Sequence, residues 1–509
     1  MGRIERDFNR AAGRYPGRIA LSHNGGDVTY ADLMGSSLAL ADEIKRMLPG
    51  GGRPVGVLLP NSVEFVRAVL AVWYSGNAVV PVSVAYPDEA VMRIADLVKT
   101  NLFICDRRGI RRLKGFRGAC IPAKPEKNHR RRAPGGLDAE DPLGFTPEHA
   151  VVFLTSGTTG QSKIVGLTHD NIRCNLASAR KSIPRQARAR TYMCLPMCHS
   201  YGFTLQMLAA LMSGGTLHIG GTYRLGTDFA GDLASSQCTS IFGVPATFRM
   251  LVDGIRRRGL ESAAAKIKCV VNGASAMTQD LLDALRATFT NARICLTYGL
   301  SEASPLVTAL PPELLDRKGC SIGRAVDGVD LTLLLAGGRV GAEAGSVGEI
   351  LIRGGSVIER YMGSPRADAE SFHDGYLKTG DIGAIDGDGC VYFRGRSKDL
   401  INRGGEKVYP CDVEKVLLRR SEIAEAAVVA CPHPVLGEVP FAFVRPAEGS
   451  EVDWAKIRKW CAAHLAQHEV PVGFKAVESL PKTHTGKIRK TELAAMLASG
   501  GTGDDAGSA

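Results

Sequence analysis

Leu154-Thr-Ser-Gly-Thr-Thr-Gly-Gln-Ser-Lys163 follows the apolar run at residues 150–154. An apolar run that stops at glycines and hydroxyls reads as a buried strand ending in a tight loop. Gly157 and Gly160 let the backbone turn sharply, so successive N–H groups can face the oxygens of a phosphate. The hydroxyls of Thr155, Ser156, Thr158 and Thr159 add donors, and Lys163 adds a positive charge. The stretch is close to the Walker pattern without matching it. That pattern needs Gly before the lysine and Ser or Thr after it, where this chain has Ser162 and Ile164. A plain polar hairpin turn is the bland alternative; four hydroxyls followed by a lysine argue against it.

On either side of this loop strand and helix alternate. Residues 8–14 read as a helix, 19–22 and 28–30 as paired strands about Asn24-Gly25-Gly26, and 30–48 as a helix. Residues 55–59 read as a strand, 62–75 as a helix capped by Ser62, 78–84 as a strand, 89–100 as a helix and 102–106 as a strand. Such βαβ spacing predicts a parallel sheet covered by helices, and similar alternation runs over 150–291. From residue 322 the pattern changes to short strands between glycine turns, at 331–335, 348–353, 384–385 and 391–393, which predicts an antiparallel, barrel-like unit. After Gly395-Arg396 it changes again: 413–420 and 454–468 read as helices, 423–431 and 440–444 as strands. The expected class is α/β. A large N-terminal domain of helix-covered sheets with a β-barrel-like subdomain spans 1–395, a small α+β domain spans 396–499, and 500–509 is a frayed Gly/Asp/Ser-rich tail.

The 509 residues include 63 Lys+Arg against 52 Asp+Glu, a formal charge of +11. A basic excess raises nucleic acid, an anionic membrane or an acidic partner. Residues 107–132 hold eleven basic residues against the single acid Glu126, so nearly all the excess is local. The segment lacks interleaved aromatics apart from Phe116, and no nucleic-acid motif accompanies it, so no nucleic acid is expected. It reads either as a solvated loop or as a docking surface for an acidic partner. Thirteen cysteines without framework spacing read as reduced thiols of a cytoplasmic protein. The first residues lack an apolar core, and the most apolar stretch, 66–82, is broken by Arg67, Gly76 and Asn77, so neither a leader nor a membrane span is expected.

The loop at 154–163 resembles that of the adenylate-forming superfamily, which includes acyl- and aryl-CoA synthetases, peptide-synthetase adenylation domains and luciferases. Further motifs follow in that family's order: Tyr298-Gly-Leu-Ser-Glu302, Lys378-Thr-Gly-Asp381, Gly395-Arg-Ser-Lys-Asp399 with Gly404-Gly405, and Pro481-Lys-Thr-His-Thr-Gly-Lys487. The resemblance covers residues 8 to 497. It implies an ATP-dependent carboxylic acid ligase that forms an acyl-AMP and pyrophosphate, then passes the acyl group to a pantetheine thiol. The thiol is that of CoA or, alternatively, that of an acyl or peptidyl carrier protein; a luciferase-like oxygenase shares the fold. Two anions must meet in such a reaction, so the site must neutralise charge and align attack on phosphorus.

The resemblance also implies roles for residues. Glu302 falls at the magnesium site, with Thr155 as hydroxyl partner, and Ser301 stands where the family has Thr. Gly273, Ala274, Ser275, Thr297, Tyr298 and Gly299 match the segments that line the adenine, with Tyr298 stacking on the purine. Asp381 is placed to accept the ribose hydroxyls and Arg396 to add a ribose or phosphate contact. Lys487 is the adenylation lysine; Lys482 and Lys490 read as solvent charges. Lys398 lies at the hinge about which the small domain moves, and Gly404 and Gly405 line the thiol tunnel. His199 matches the histidine at the carboxylate end of the acyl pocket, with Ser200, Tyr201, Phe203, Val244 and Met277 as pocket candidates. Relatives that activate α-amino acids have Asp where Ser200 stands. Serine cannot neutralise a buried ammonium, so an acid without that group is expected.

Overall fold

The computed structural model describes residues 3–23, 26–124, 143–156, 162–220, 228–275, 277–319, 321–482 and 488–499. The chain divides into two compact units, Met1–Leu331 with Leu351–Leu377, and Thr332–Ile350 with Lys378–Ala509. No helix among the described residues is long and apolar enough to cross a membrane.

The first unit is built on two sheets. One has six strands in the order Ala119–Pro122, Leu102–Cys105, Pro54–Leu58, Ala78–Pro81, His149–Ser156 and Ser162–Thr168. Its strands run parallel except for the last pair, an antiparallel hairpin in register from His149↔Thr168 to Ser156↔Ser162. Strand Pro54–Leu58 is buried along its whole length, as a central parallel strand covered on both faces must be. The helix at 62–75 forms as Val63–Tyr74, with Ser62 Oγ accepting from the Phe65 N–H at 3.1 Å. Its Trp73 is fully buried, and the indole N–H donates to Ala150 O at 2.7 Å, which removes the polar cost of burying that ring.

The other sheet has nine strands. Arg293–Gly299, Cys269–Asn272, Ser240–Gly243, Arg190–Met193, Thr216–Ile219 and Ile19–His23 lie side by side and run parallel. Antiparallel strands flank them: Gly26–Thr29 on one edge, and Leu306–Leu310 then Arg324–Ala325 on the other. Because the central strands are parallel, their carboxyl ends emerge along one edge. A third sheet consists of the short strands Val340–Gly341, Val329–Leu334, Val347–Gly354, Tyr376–Ile385 and Phe372–His373, with Val391–Arg396 pairing to Tyr376–Ile385. This is the half-barrel that the glycine-punctuated pattern predicts.

In the second unit a long hairpin, Ile423–His433 against Gly437–Pro446, carries Ile401–Arg403 and Glu406–Val408 on one side and Gly473–Ala476 alongside. Helices Pro410–Leu417 and Trp454–His464 cover a core of Ile401, Val413, Leu417, Val428, Val444 and Ile457. Two helix boundaries differ from expectation. The first helix starts three residues early, because Pro410 is pre-set for the first helical position. The second stops at His464 rather than 468. Arg403 Nη1 donates to the carbonyls of Gln467 and His468 at 3.1 and 2.9 Å, which fixes that stretch as a separate 3₁₀ turn, Gln467–Glu469.

Candidate active site

Four parallel strands deliver about half of the candidate residues to one edge. Arg190–Met193 leads into 194–203, Ser240–Gly243 into Val244, Cys269–Asn272 into 273–275, and Arg293–Gly299 carries Thr297, Tyr298 and Gly299 before Ser301 and Glu302. Loops beyond the carboxyl ends of such strands are where open α/β sheets bind ligands.

Tyr201 begins a π-helix, Tyr201–Leu208, a helical form concentrated at functional sites. Its hydroxyl donates to Val271 O at 3.3 Å, which lays the ring across Gly273. Thr297 Oγ1 donates to Asn272 O at 2.9 Å on the same segment. The next residue, Ala274, has φ 64°, a left-handed conformation that an alanine adopts only under constraint. Ser275 is exposed, while Tyr298 and Val244 are half-buried and Met277 is buried. Phe203 is fully buried, edge-on to Trp73 and Phe153 at 6.1 and 5.7 Å, so its ring contacts are with core aromatics.

His199 and Ser200 border a small cleft whose other walls include Val80, Tyr86, Val152, Leu154 and Ser301. Ser200 Oγ lies 3.0 Å from Ser301 Oγ, joining the two motif segments. Cys198 faces the same cleft; burial pushes its thiol up to about 11, so it stays protonated at neutral pH. The described cysteines are all free thiols.

The phosphate-type loop caps the antiparallel hairpin of the first sheet, with Thr155 opposite Lys163. A strand therefore follows it, where a Walker loop would be followed by a helix. Residues 157–161, which include Gly157, Thr158, Thr159 and Gly160, lie outside the described residues, as does the side chain of Ser156. Near the loop end of the hairpin Glu302 is buried, 8 % exposed, and its Oε1 accepts from Thr155 Oγ1 at 3.2 Å and from Tyr361 Oη at 3.1 Å. Among the described residues this carboxylate has hydroxyl partners and no ion pair. A buried carboxylate without a counter-charge is costly, and an oxygen set of this kind fits Mg²⁺. Lys163 Nζ donates to Ser371 Oγ at 2.8 Å and sits 4.6 Å from the centre of the Tyr361 ring. Tyr361 and Ser371 carry no motif in the sequence and emerge only from the fold.

In the second unit Asp381 faces Arg396 across antiparallel strands, and its Oδ1 is 2.8 Å from Arg396 Nε. The Thr-Gly-Asp segment of that strand is further held: Gly380 N–H donates to Glu349 Oε1 at 3.0 Å and Asp381 N–H to Thr379 Oγ1 at 3.1 Å. Lys398 lies in the short 3₁₀ turn Ser397–Asp399. Gly404 and Gly405, at φ 59° and 95°, form the two-residue turn between Arg403 and Glu406. Both residues of that turn are left-handed, so the hairpin itself requires glycine-like freedom there.

Lys487 and residues 483–486 lie outside the described residues, but both ends of their loop are pinned. Lys482 pairs with Ile488 in an antiparallel bridge, and Arg489 N–H donates to Pro481 O at 2.8 Å. Lys482 is ion-paired to Glu425, and Lys490 lies 2.6 Å from Glu414 with only 20 % of its side chain exposed. Lys490 is thus half-buried against Glu414, which corrects its reading as a solvent charge; Lys482 is exposed, as that reading has it, and pairs with the half-buried Glu425.

The AMP-binding enzyme family matches residues 8–362, and the AMP-binding enzyme C-terminal domain matches residues 412–487. Sulfoacetate–CoA ligase of Cupriavidus necator is 30% identical over 455 residues, 87% of this chain and 87% of that protein. Feruloyl-CoA synthase of an Amycolatopsis species is 28% identical over 494 residues, 95% of this chain and 97% of that protein. The o-succinylbenzoate CoA synthetase of Bacillus subtilis, solved with an acyl-adenylate intermediate, superposes with a TM-score of 0.81 at 25% identity, covering 96% of this chain and 97% of that one. The buried acid beneath a phosphate-type hairpin, the family match across most of the chain and these relatives agree: the chain belongs to the AMP-binding enzyme family and is an ATP-dependent acid–thiol ligase.

Proposed function

We propose that the chain activates an organic acid lacking an α-ammonium group, as its adenylate, and passes the acyl group to CoA. The observation that carries this reading is Glu302, a buried carboxylate held, among the described residues, by hydroxyls near the loop end of the phosphate-type hairpin. Glu302 with Thr155 would hold Mg²⁺, which when bound draws charge from the triphosphate oxygens. The backbone of 156–160 and the Lys163 ammonium bind and orient the phosphates. Gly273, Ala274, Ser275, Thr297, Tyr298 and Gly299 take the adenine, with Asp381 and Arg396 on the ribose. His199 orients the acid's carboxylate at the cleft, beside the neutral pair Ser200 and Ser301. Neither serine offers a charge to meet an ammonium, which supports the substrate class. The acids for which the relatives are named, sulfoacetate and ferulate, also lack an α-ammonium.

Lys487 bridges the acid and the α-phosphate in the first half-reaction. Movement about Lys398, at a boundary between 1–395 and 396–499, then exchanges the Lys487 loop for the Gly404-Gly405 turn, which lines the path of the thiol. Free thiols and a need for ATP suit a cytoplasmic setting. An acidic carrier protein is the second reading of the acceptor, favoured by exposed Arg107, Arg108, Arg111, Lys114 and Arg117. The test is ATP–pyrophosphate exchange over a panel of carboxylic acids, repeated with Lys487→Ala. Exchange with amino acids alone removes the substrate class, and exchange with none removes the activity.

A further inference from the structure

The ammonium of Lys163 is already engaged. It donates to Ser371 Oγ and lies over the face of Tyr361, and both partners are buried, at 6% and 5% exposure. The same Tyr361 gives its hydroxyl proton to Glu302 Oε1. The ring is held rigidly. Tyr361 N–H donates to Asp368 Oδ1 at 2.6 Å, Met362 N–H to Ile164 O at 3.0 Å, and Ile358 N–H to Glu302 O at 2.9 Å. One aromatic ring thus stands between the carboxylate and the lysine of the hairpin, its edge bound to the first and its face to the second. Ser371 is the last residue of helix Pro365–Ser371, so the lysine also ties the hairpin to the end of that helix.

We propose that Ser371 and Tyr361 form a latch that stores the Lys163 ammonium in the nucleotide-free protein, and that nucleotide phosphates take the lysine from Ser371 on binding. The inference rests on the reading that Lys163 meets phosphates. The ammonium is a strong donor that must be satisfied somewhere. A buried hydroxyl and a ring face satisfy it without an anion, so a phosphate oxygen outbids them. Breaking the Ser371 bond lowers the apparent affinity for nucleotide, because only the unlatched fraction binds fully. The exchange also frees the end of helix Pro365–Ser371, which couples phosphate binding to a segment that holds Tyr361 through Asp368.

The test is calorimetric titration of the full chain with ATP and Mg²⁺. Ser371→Ala should bind ATP about tenfold tighter, the low end of the value of one charged hydrogen bond no longer broken. Ser371→Thr, which keeps the hydroxyl, should bind as the parent does. Lys163→Ala should bind about tenfold weaker, and adding Ser371→Ala to it should change nothing. Unchanged or weaker binding by Ser371→Ala, with Lys163→Ala still weak, overturns the latch and leaves the phosphate role of Lys163 standing. Parent-like binding by Lys163→Ala overturns that role and the latch with it. Amide hydrogen exchange of the unaltered protein gives a second readout: ATP should speed exchange at 369–372, and slower or unchanged exchange there counts against the latch.

Discussion

The ring of Tyr201 lies on Gly273 so closely that a Cβ at Gly273 would stand 2.8 Å from the ring's Cζ and 2.9 Å from Thr297 Oγ1. Real Cβ atoms do not approach that near, so any side chain at 273 must move the tyrosine. Tyr201 opens the π-helix and leads out of His199 and Ser200, so movement there travels to the cleft as well as to residues 273–275. Gly273→Ala should cost about 1–3 kcal/mol of stability, the usual penalty of overpacking. It should also raise the KM for both ATP and the acid. Chemical denaturation and exchange kinetics read the two effects, and a rise in KM for ATP alone would separate Tyr201 from the acid pocket.

Glu302→Gln should split activity from stability. The amide oxygen of glutamine can accept from Thr155 and Tyr361 as the carboxylate does, and it removes a buried charge that has no ionic partner among the described residues. Thermal melting should therefore be unchanged or raised. ATP–pyrophosphate exchange should fall at least about a hundredfold, with a loss of dependence on Mg²⁺, as expected when an electrostatic contact to the reacting phosphates goes. A destabilised variant with full exchange would mean that Glu302 is a structural acid.

The sequence is most readable where one local rule decides. The glycines and hydroxyls of 155–163 announce a loop after a strand, and the capping serine at 62 announces a helix that forms one residue on. The departures at Ser162 and Ile164 from a Walker loop have a clear counterpart: both residues lie on a strand, paired with Ser156 and Leu154. Tyr361 was not readable. It sits between elements, and its place is set by its own bonds to Glu302 and Asp368 and by the bond of the neighbouring Met362 N–H to Ile164 O, which no spacing rule encodes. The burial of Lys490 was hidden for the same reason, since its partner Glu414 is on another helix, Pro410–Leu417. The glycines at 404 and 405 were found for the backbone freedom they offer, yet the observed use of that freedom is a tight turn.

His169 makes stability depend on pH. Its Nδ1 accepts the Ile4 N–H at 3.2 Å, which anchors the first helix, Glu5–Arg14. Burial, helped by the positive charges of Arg3 and Arg173, holds its pKa down to about 3, although Glu5 Oε2 stands 3.7 Å away. The folded ring is therefore neutral while an unfolded one takes a proton near pH 6.5. The contribution is fully present above pH 6.5 and is lost as pH falls toward 3. Between pH 7 and pH 5 the loss should be about 2 kcal/mol. Denaturant melts at the two pH values should show it, and His169→Asn should reduce the difference by that amount. An unreduced difference would assign the acid sensitivity to other groups.

Glu414 and Lys490 form an ion pair beside residues 483–487, the segment that carries Lys487. Glu414 Oε1 accepts from the Val428 N–H at 2.8 Å and from Lys490, and burial raises its pKa against the lowering pull of Lys490. Lys490 begins the helix Lys490–Ser499, three residues after Lys487, so this pair fixes one side of the loop neck while Lys482 and Glu425 fix the other. Glu414→Ala leaves an ammonium buried and unpaired, which should cost about 3–5 kcal/mol. Lys490→Met leaves the acid instead, and the acid can escape the penalty by taking a proton. A carboxyl with a raised folded pKa binds its proton more tightly folded than unfolded, so stability falls as pH rises through that pKa. The deficit of Lys490→Met should thus be small at pH 5 and grow toward pH 8, whereas that of Glu414→Ala should not shrink at low pH. Both variants should slow acid-dependent pyrophosphate exchange, with KM for ATP little changed, if the pair serves to place Lys487. A raised KM for ATP without a fall in kcat would instead make the pair part of the nucleotide site.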